Sequence, residues 1–126
     1  MRLISICTAM FMAGLVLLIP VRHGRAVEPG EGEPGIFKLL HEDESVRIVL
    51  ATTEPGKTEG WHSHPGYFAY VVQGSKMRYD FPDGTTRDID IPSEVNRLND
   101  PVVKHRGSNI GTTTFQALLV EFKGRK

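Results

Sequence analysis

His62-Ser63-His64, answered by the later run His105-Arg106-Gly107-Ser108-Asn109, is the stretch that decides how this chain is read. Side chains alternate faces along a β-strand, so residues i and i+2 point the same way. The imidazoles of His62 and His64 therefore project together, and a third from His105 on a later strand completes one face of a coordination sphere. Neutral imidazole is the commonest metal-donating side chain, and three protein ligands leave positions open to water or substrate. The pattern predicts a small metal-binding β-barrel.

Outward from the histidines the chain reads as strands, with no convincing helix. Residues 36–40 are short and mostly apolar, and 46–51 are β-branched and half alternating. Residues 67–73 (YFAYVVQ) are aromatic and β-branched and end at Gly74. Residues 76–81 alternate strictly and close on the turn Pro82-Asp83-Gly84. Residues 85–91 alternate again, 102–103 are a short apolar pair, and 112–122 make the longest strand candidate. Short strands punctuated by Gly, Pro and Asn turns predict an antiparallel barrel or sandwich. Closure of the barrel is expected to remove the edges that strands such as 67–73 would otherwise leave unpaired. Phe81, Phe115, Leu118 and Val120 are expected to fill it.

On this strand map the chain resembles a small single-domain member of the cupin superfamily, type-2-like, over residues 37–123. Gly56, the five residues 57–61, His62-Ser63-His64 and Gly74 keep the spacing of that family's first motif, and His105 with Asn109 match the end of its second. The resemblance implies an all-β fold, the small antiparallel double-stranded β-helix or jelly-roll barrel. Two departures stand out. The glutamate ligand of the first motif is absent: no carboxylate lies between His64 and Gly74, and Tyr67 and Phe68 occupy the stretch where it belongs. In the second motif, the family's glycine, proline and glycine ahead of the histidine are replaced by Glu94, Asp100 and Val102, which predicts a remodelled turn before His105.

His62, His64 and His105 are thus the expected ligands of one divalent transition metal. Three imidazoles do not choose among Fe, Mn, Ni, Zn and Cu. Without the carboxylate the centre would carry a charge near +2, which acidifies bound water and favours an anionic co-ligand. Glu59, three residues before His62, is placed to accept an imidazole N–H and fix its tautomer, although a solvated loop position is the plainer reading. Tyr67, Gln73 and Arg78 are the other candidates to reach the cavity. Asn109 is expected to close a turn before Gly111, and His41, amid Glu42, Asp43 and Glu44, to be a solvated loop histidine.

The first residues are expected not to belong to the fold. Met1-Arg2 precedes a nearly uninterrupted apolar run to Ile19, and Gly24 and Ala26 suit signal-peptidase cleavage, giving a signal peptide over 1–26. A retained membrane anchor is the alternative, but the run is short for a crossing, which takes about 20 residues. Residues 27–35 (VEPGEGEPG) read as an exposed flexible lead-in, and 36–123 as the barrel. The chain has 15 basic and 15 acidic residues; without Arg2, Arg22 and Arg25 the balance becomes 12 against 15, or −3. No basic cluster favours nucleic acid. The single cysteine, Cys7, lies within the leader, so disulfide scaffolds, thiol enzymes and thiolate metal sites are excluded for the exported domain.

These features predict an exported, periplasmic or secreted metal-binding barrel with no stable membrane span after cleavage. It would bind a small molecule and possess a strand suited to homodimer formation. An oxygenase or isomerase acting on a small polar molecule is the leading function. The alternatives are a non-catalytic metal- or ligand-binding sensory barrel and a structural homodimer with a decayed site.

Overall fold

The structure, a computed structural model, describes residues 36–124. The expected leader (1–26) and the lead-in to the barrel (27–35) lie outside the described residues. Nine strands follow in order: β1 (Phe37–Glu42), β2 (Val46–Thr53), β3 (His62–His64), β4 (Tyr67–Gln73), β5 (Ser75–Asp80), β6 (Thr86–Ile91), β7 (Val95–Asn99), β8 (Val102–Asn109) and β9 (Phe115–Phe122). Among the described residues there is no helix, and none long and apolar enough to cross a membrane.

The strands form two antiparallel sheets, one ordered β1-β2-β9-β4-β7 and the other β3-β8-β5-β6. They are not joined into one closed ring, so edges are managed differently from the closure expected of a barrel. β4, the strand expected to need protection, is paired on both sides by β9 and β7, while β1, β7, β3 and β6 are the sheet edges. Three strand readings also shift. β7 was not anticipated, because Val95-Asn96-Arg97-Leu98-Asn99 carries too many polar residues to stand out. β8 runs the full length of residues 102–109 rather than the apolar pair 102–103. β1 extends to Glu42 and so takes in His41, which is exposed and bonds Asp43 at 3.1 Å.

Alternation builds the interior. In β2 and β9 every second residue is buried, and register pairs Val49 with Leu119 and Ala51 with Ala117. These join Val71, Met77 and Phe115 in the core, with Met77 fully buried. Each large apolar side chain so buried contributes about 1.5–3 kcal/mol. Phe115 fills the interior as expected. Leu118 and Val120 do not: they occupy the alternate positions of β9 and face outward, half-buried, because the inward register belongs to Ala117, Leu119 and Glu121. The alanines at 51, 69 and 117 line the space between the sheets, and their small side chains leave room for a cavity.

Two turns show why particular residues stand where they do. Gly74, between β4 and β5, packs directly on the β6–β7 turn: a Cβ there would lie 2.6 Å from the carbonyl carbon of Pro92. Glu94, in that same turn, adopts a left-handed φ of 60° and donates its N–H to Val71 at 2.8 Å. This is the position at which the second motif departs from glycine, and the backbone retains a glycine-like conformation despite the side chain.

Candidate metal centre

β3 and β8 pair antiparallel, and the register sets His62 directly opposite His105. His64, two residues on, shares the inward face of β3. The third histidine therefore arrives by strand pairing, and the altered turn ahead of β8 does not displace it. The rings stand with centroids 4.8 Å apart for His62–His64, 4.4 Å for His62–His105 and 5.4 Å for His64–His105. Each offers one nitrogen such that all three atoms lie within 4.8 Å of one another, and all three residues are buried.

The outer nitrogens decide the tautomers. His62 Nδ1 meets the carbonyl of Gly60 at 2.8 Å, and His105 Nδ1 meets that of Val103 at 2.9 Å. A carbonyl can only accept, so both Nδ1 atoms carry the proton and both Nε2 lone pairs are free to ligate. His64 Nδ1 lies 2.6 Å from Oε1 of Glu121, the carboxylate–histidine arrangement that orients metal-binding imidazoles and makes them more basic. Burial, followed by the neighbouring His64, depresses the pKa of His62 to about 4. Burial likewise lowers that of His105. Neutral imidazoles with inward lone pairs are the form a cation requires, so the residues present fit a metal ion.

Glu121 is the functional residue that sequence reasoning missed. It sits on the inner face of β9, 1% exposed, in register with Arg47 on β2 and Tyr67 on β4. Its Oε2 accepts from Arg47 Nε at 2.7 Å and Nη2 at 2.6 Å. Burial pushes its carboxyl up, but the bonds and charges of His64 and Arg47 outweigh that and hold it below the ordinary range. The available signal was a lone charge in the otherwise apolar run Leu118-Leu119-Val120-Glu121-Phe122, matched by Arg47 in β2. An inward charge in such a strand needs a partner.

The other expected site residues separate cleanly. Glu59 is buried, 6% exposed, rather than solvated; Thr53 Oγ1 donates to its Oε1 at 2.9 Å and the Gly107 N–H to its Oε2 at 3.2 Å. The imidazole N–H it was expected to accept goes to Gly60 instead. Tyr67 lines the cavity beside His64, ring centroids 4.9 Å apart. Burial raises its pKa, so it stays a neutral phenol rather than a phenolate ligand. Gln73 is exposed at the far end of β4, and Arg78 points outward to Asp88 with bonds of 2.7 and 2.9 Å; neither lines the cavity. Asn109 has a structural part: its amide donates to the carbonyls of Thr53 and Thr113, and its oxygen accepts from Ser75 and Gly111. Trp61 faces away from the histidines, with the Arg106 guanidinium 5.0 Å from its ring.

Beside the triad lies a cavity of about 610 Å³, within the size range of small-molecule sites. Phe37, Tyr67, Tyr79 and Phe115 wall it, and Arg87, Arg97, Asp90 and Asp100 stand among its polar lining.

No protein-family model matches the chain, and no curated protein does. Solved structures do match. A cupin domain from Bordetella pertussis is 22% identical with a TM-score of 0.63, over 70% of this chain and 92% of its own. A double-stranded β-helix protein from Klebsiella pneumoniae is 19% identical with a TM-score of 0.55, over 73% and 81%. A cupin-like protein from Thermotoga maritima is 23% identical with a TM-score of 0.51, over 75% and 77%. Identities this low speak to the fold alone, and with the two facing antiparallel sheets they establish it: the chain has a cupin-like double-stranded β-helix fold.

Proposed function

We propose that this protein is an exported metalloprotein in which His62, His64 and His105 hold one divalent transition-metal ion. It acts as a metal-dependent enzyme, of oxygenase or isomerase type, on a small polar molecule bound in the adjoining cavity. One observation carries the reading: three buried imidazoles whose Nδ1 atoms are each engaged by an acceptor, so that their Nε2 lone pairs converge beside that cavity.

A divalent ion held by neutral imidazoles keeps its charge and polarises a coordinated oxygen or nitrogen donor. The chain's own residues supply the rest. Glu121 and the carbonyls of Gly60 and Val103 fix the ligand rings. Phe37 packs against the edge of His62, centroids 4.9 Å apart, and with Val71, Phe115 and Leu119 excludes water from the inner wall. Burial keeps the phenols of Tyr67 and Tyr79 protonated, so both are hydrogen-bond donors toward a bound ligand. Arg87, Asp90, Arg97 and Asp100 at the cavity suit a polar rather than a purely apolar occupant.

The test is elemental analysis of the purified protein beside the His62→Ala/His64→Ala variant. About one ion per chain, lost in the variant, supports the centre; equal metal content in the two overturns it. Turnover is then sought by screening organic acids and small thiols with and without oxygen. Export is tested by N-terminal sequencing of the protein recovered from cells, with Val27 expected as the first residue. A homodimer is the assembly that fits the outer face of the larger sheet. There the registers align Ile48, Val120, Phe68 and Leu98 in one apolar row and Leu50, Leu118 and Tyr70 in the next. A sheet face of this kind is ordinarily covered by another sheet. Light scattering of the wild type and of Phe68→Glu checks this: a dimer that the substitution dissociates is expected, and a wild-type monomer refutes it.

A further inference from the structure

Five arginines lie among the described residues, and three of them hold a carboxylate: Arg47 bonds Glu121, Arg78 bonds Asp88 and Arg106 bonds Asp80. Arg87 and Arg97 bond none, and both line the cavity beside the histidines. Resting on the metal-centred cavity proposed above, we infer that Arg87 and Arg97 form a carboxylate-binding pair, so that the cavity's occupant is a small organic acid.

Strand register turns both side chains inward. Arg97 stands opposite Ala69 in the β7–β4 pair, and Arg87 opposite Tyr79 in the β6–β5 pair. Directly opposed residues of an antiparallel pair share a face, and Ala69 and Tyr79 both pack on the core. Ala69 has only a methyl group, which leaves space in front of Arg97. β6 and β7 are edges of different sheets, joined by a turn that is held in place. Ser93 Oγ accepts the N–H of Gly74 at 2.9 Å, and the N–H of Glu94 donates to Val71 at 2.8 Å. The two arginines thus sit on two arms anchored at one point, one arm in each sheet.

Each arginine adjoins a phenol that borders a histidine of the triad. The charge of Arg97 bears on Tyr67, whose ring centroid lies 4.9 Å from that of His64. Tyr79, opposite Arg87, lies 5.8 Å from the ring of His105. A guanidinium offers only donors, and a neutral phenol has an O–H to give. A carboxylate offers only acceptors, in a planar pair that matches the guanidinium fork.

The acids at the cavity do not cancel the pair. Asp90 alternates with Arg87 along β6, so it shares the outer face with Asp88 and stands opposite Lys76. Glu59 belongs to the histidine end, bonded by Thr53 and Gly107. With Asp100 counted as well, Glu59 and Asp100 stand against two arginines and the charge of a divalent ion. The field inside the cavity therefore favours an anion.

The experiment titrates acetate, succinate and benzoate, each beside its amide, into Co²⁺-loaded wild type and Arg87→Gln/Arg97→Gln by calorimetry, with circular dichroism confirming the fold. Acid and amide of each pair differ in charge far more than in shape. The expected result is that at least one carboxylate binds wild type at least 10-fold more tightly than its amide. The double variant should lose that preference while taking up Co²⁺ as wild type does. No preference in wild type overturns the assignment. So does a preference retained in the double variant, which would put the carboxylate on the ion, or a loss accompanied by loss of Co²⁺ uptake. Sulfate is expected to displace the bound carboxylate only at more than 10-fold higher concentration; displacement at equal concentration marks an unselective anion patch and also overturns it. Should the double variant not fold, the two single variants replace it, each expected to lose at least 3-fold, and wild-type preference in both is a refutation. A wild type that takes up no Co²⁺ defeats the metal centre alone, and the same titrations of the metal-free protein then decide this inference.

Discussion

Glu121→Gln is the perturbation most revealing about how fold and site are joined. The carboxylate is 1% exposed, accepts two bonds from Arg47 at 2.6 and 2.7 Å, and accepts a third from His64 Nδ1 at 2.6 Å. An amide keeps the shape but has one acceptor oxygen and presents an NH₂ group to a donor on the other side. Breaking a buried charge pair by removing one partner costs about 3–5 kcal/mol. For a domain of this size each kcal/mol moves Tm by about 4–8 °C, so the metal-free variant should melt at least ~12 °C lower. The same change removes the acceptor that orients a ligand, which should weaken metal binding about 10–100-fold. Urea unfolding of the metal-free protein and metal titration at 10 °C, where both forms are folded, read the two effects separately. Glu121→Asp, which retains the charge on a shorter stem, should lose less on both measures. A destabilisation under about 1 kcal/mol in Glu121→Gln, or unaltered metal affinity, would refute the reasoning.

Acid should destabilise the metal-free protein earlier than carboxylates alone predict. The pKa of His62 is about 4 in the folded chain against an ordinary 6.5, so between these values the unfolded state binds a proton that the folded state does not. Stability therefore falls as pH drops from about 6.5 toward 4, by at most about 3 kcal/mol from this residue. The lowered pKa of Glu121 acts in the same direction below its ordinary 4.5. Urea midpoints across pH 4–7 measure it, and His62→Ala should flatten the slope. Glu94→Gly should stabilise the fold by up to about 1 kcal/mol, since glycine adopts a φ of 60° without a Cβ penalty; a lower midpoint refutes this. Gly74→Ala should lower Tm sharply, because the Cβ meets the backbone of Ile91 and Pro92 rather than a side chain that can turn aside.

Which parts were legible in the sequence follows from which signals are local. The aromatic and β-branched residues of 67–73, the alternation over 76–81 and the turn at Pro82-Asp83-Gly84 place β4 and β5 closely, because residue type, side-chain period and turn chemistry are properties of the segment itself. The i, i+2 spacing of His62 and His64 is equally local. β7 escaped because an edge strand with one neighbour needs no apolar run, and β8 looked short because its inward residues are His105, Gly107 and Asn109. Those residues face inward for the site and not for the core, so hydrophobic periodicity does not register them. Gln73 and Arg78 lie near Gly74 in sequence, but strand direction carries them away from the histidines. Glu121 lies 57 residues from His64, and only the pairing of β9 with β4 reveals that it reaches the centre.

The two sheets are not closed by a continuous ladder, and this gives the polar interior a larger part in the structure. His64 belongs to the smaller sheet and Glu121 to the larger, so their bond spans the gap between them. Glu59 performs a similar service at another point, held by Thr53 of β2 on one side and Gly107 of β8 on the other. Both carboxylates that join the sheets thus also touch the histidine cluster. An apolar interior could hold two sheets together without fixing their spacing to better than a side chain's tolerance, whereas a 2.6 Å charge-assisted bond admits little slack. The alanine-lined cavity removes packing from the same region, which leaves these bonds to set the separation. A ligand ion on the three imidazoles would therefore report on, and reinforce, the distance between the sheets, so metal binding and folding stability are coupled through the same few atoms.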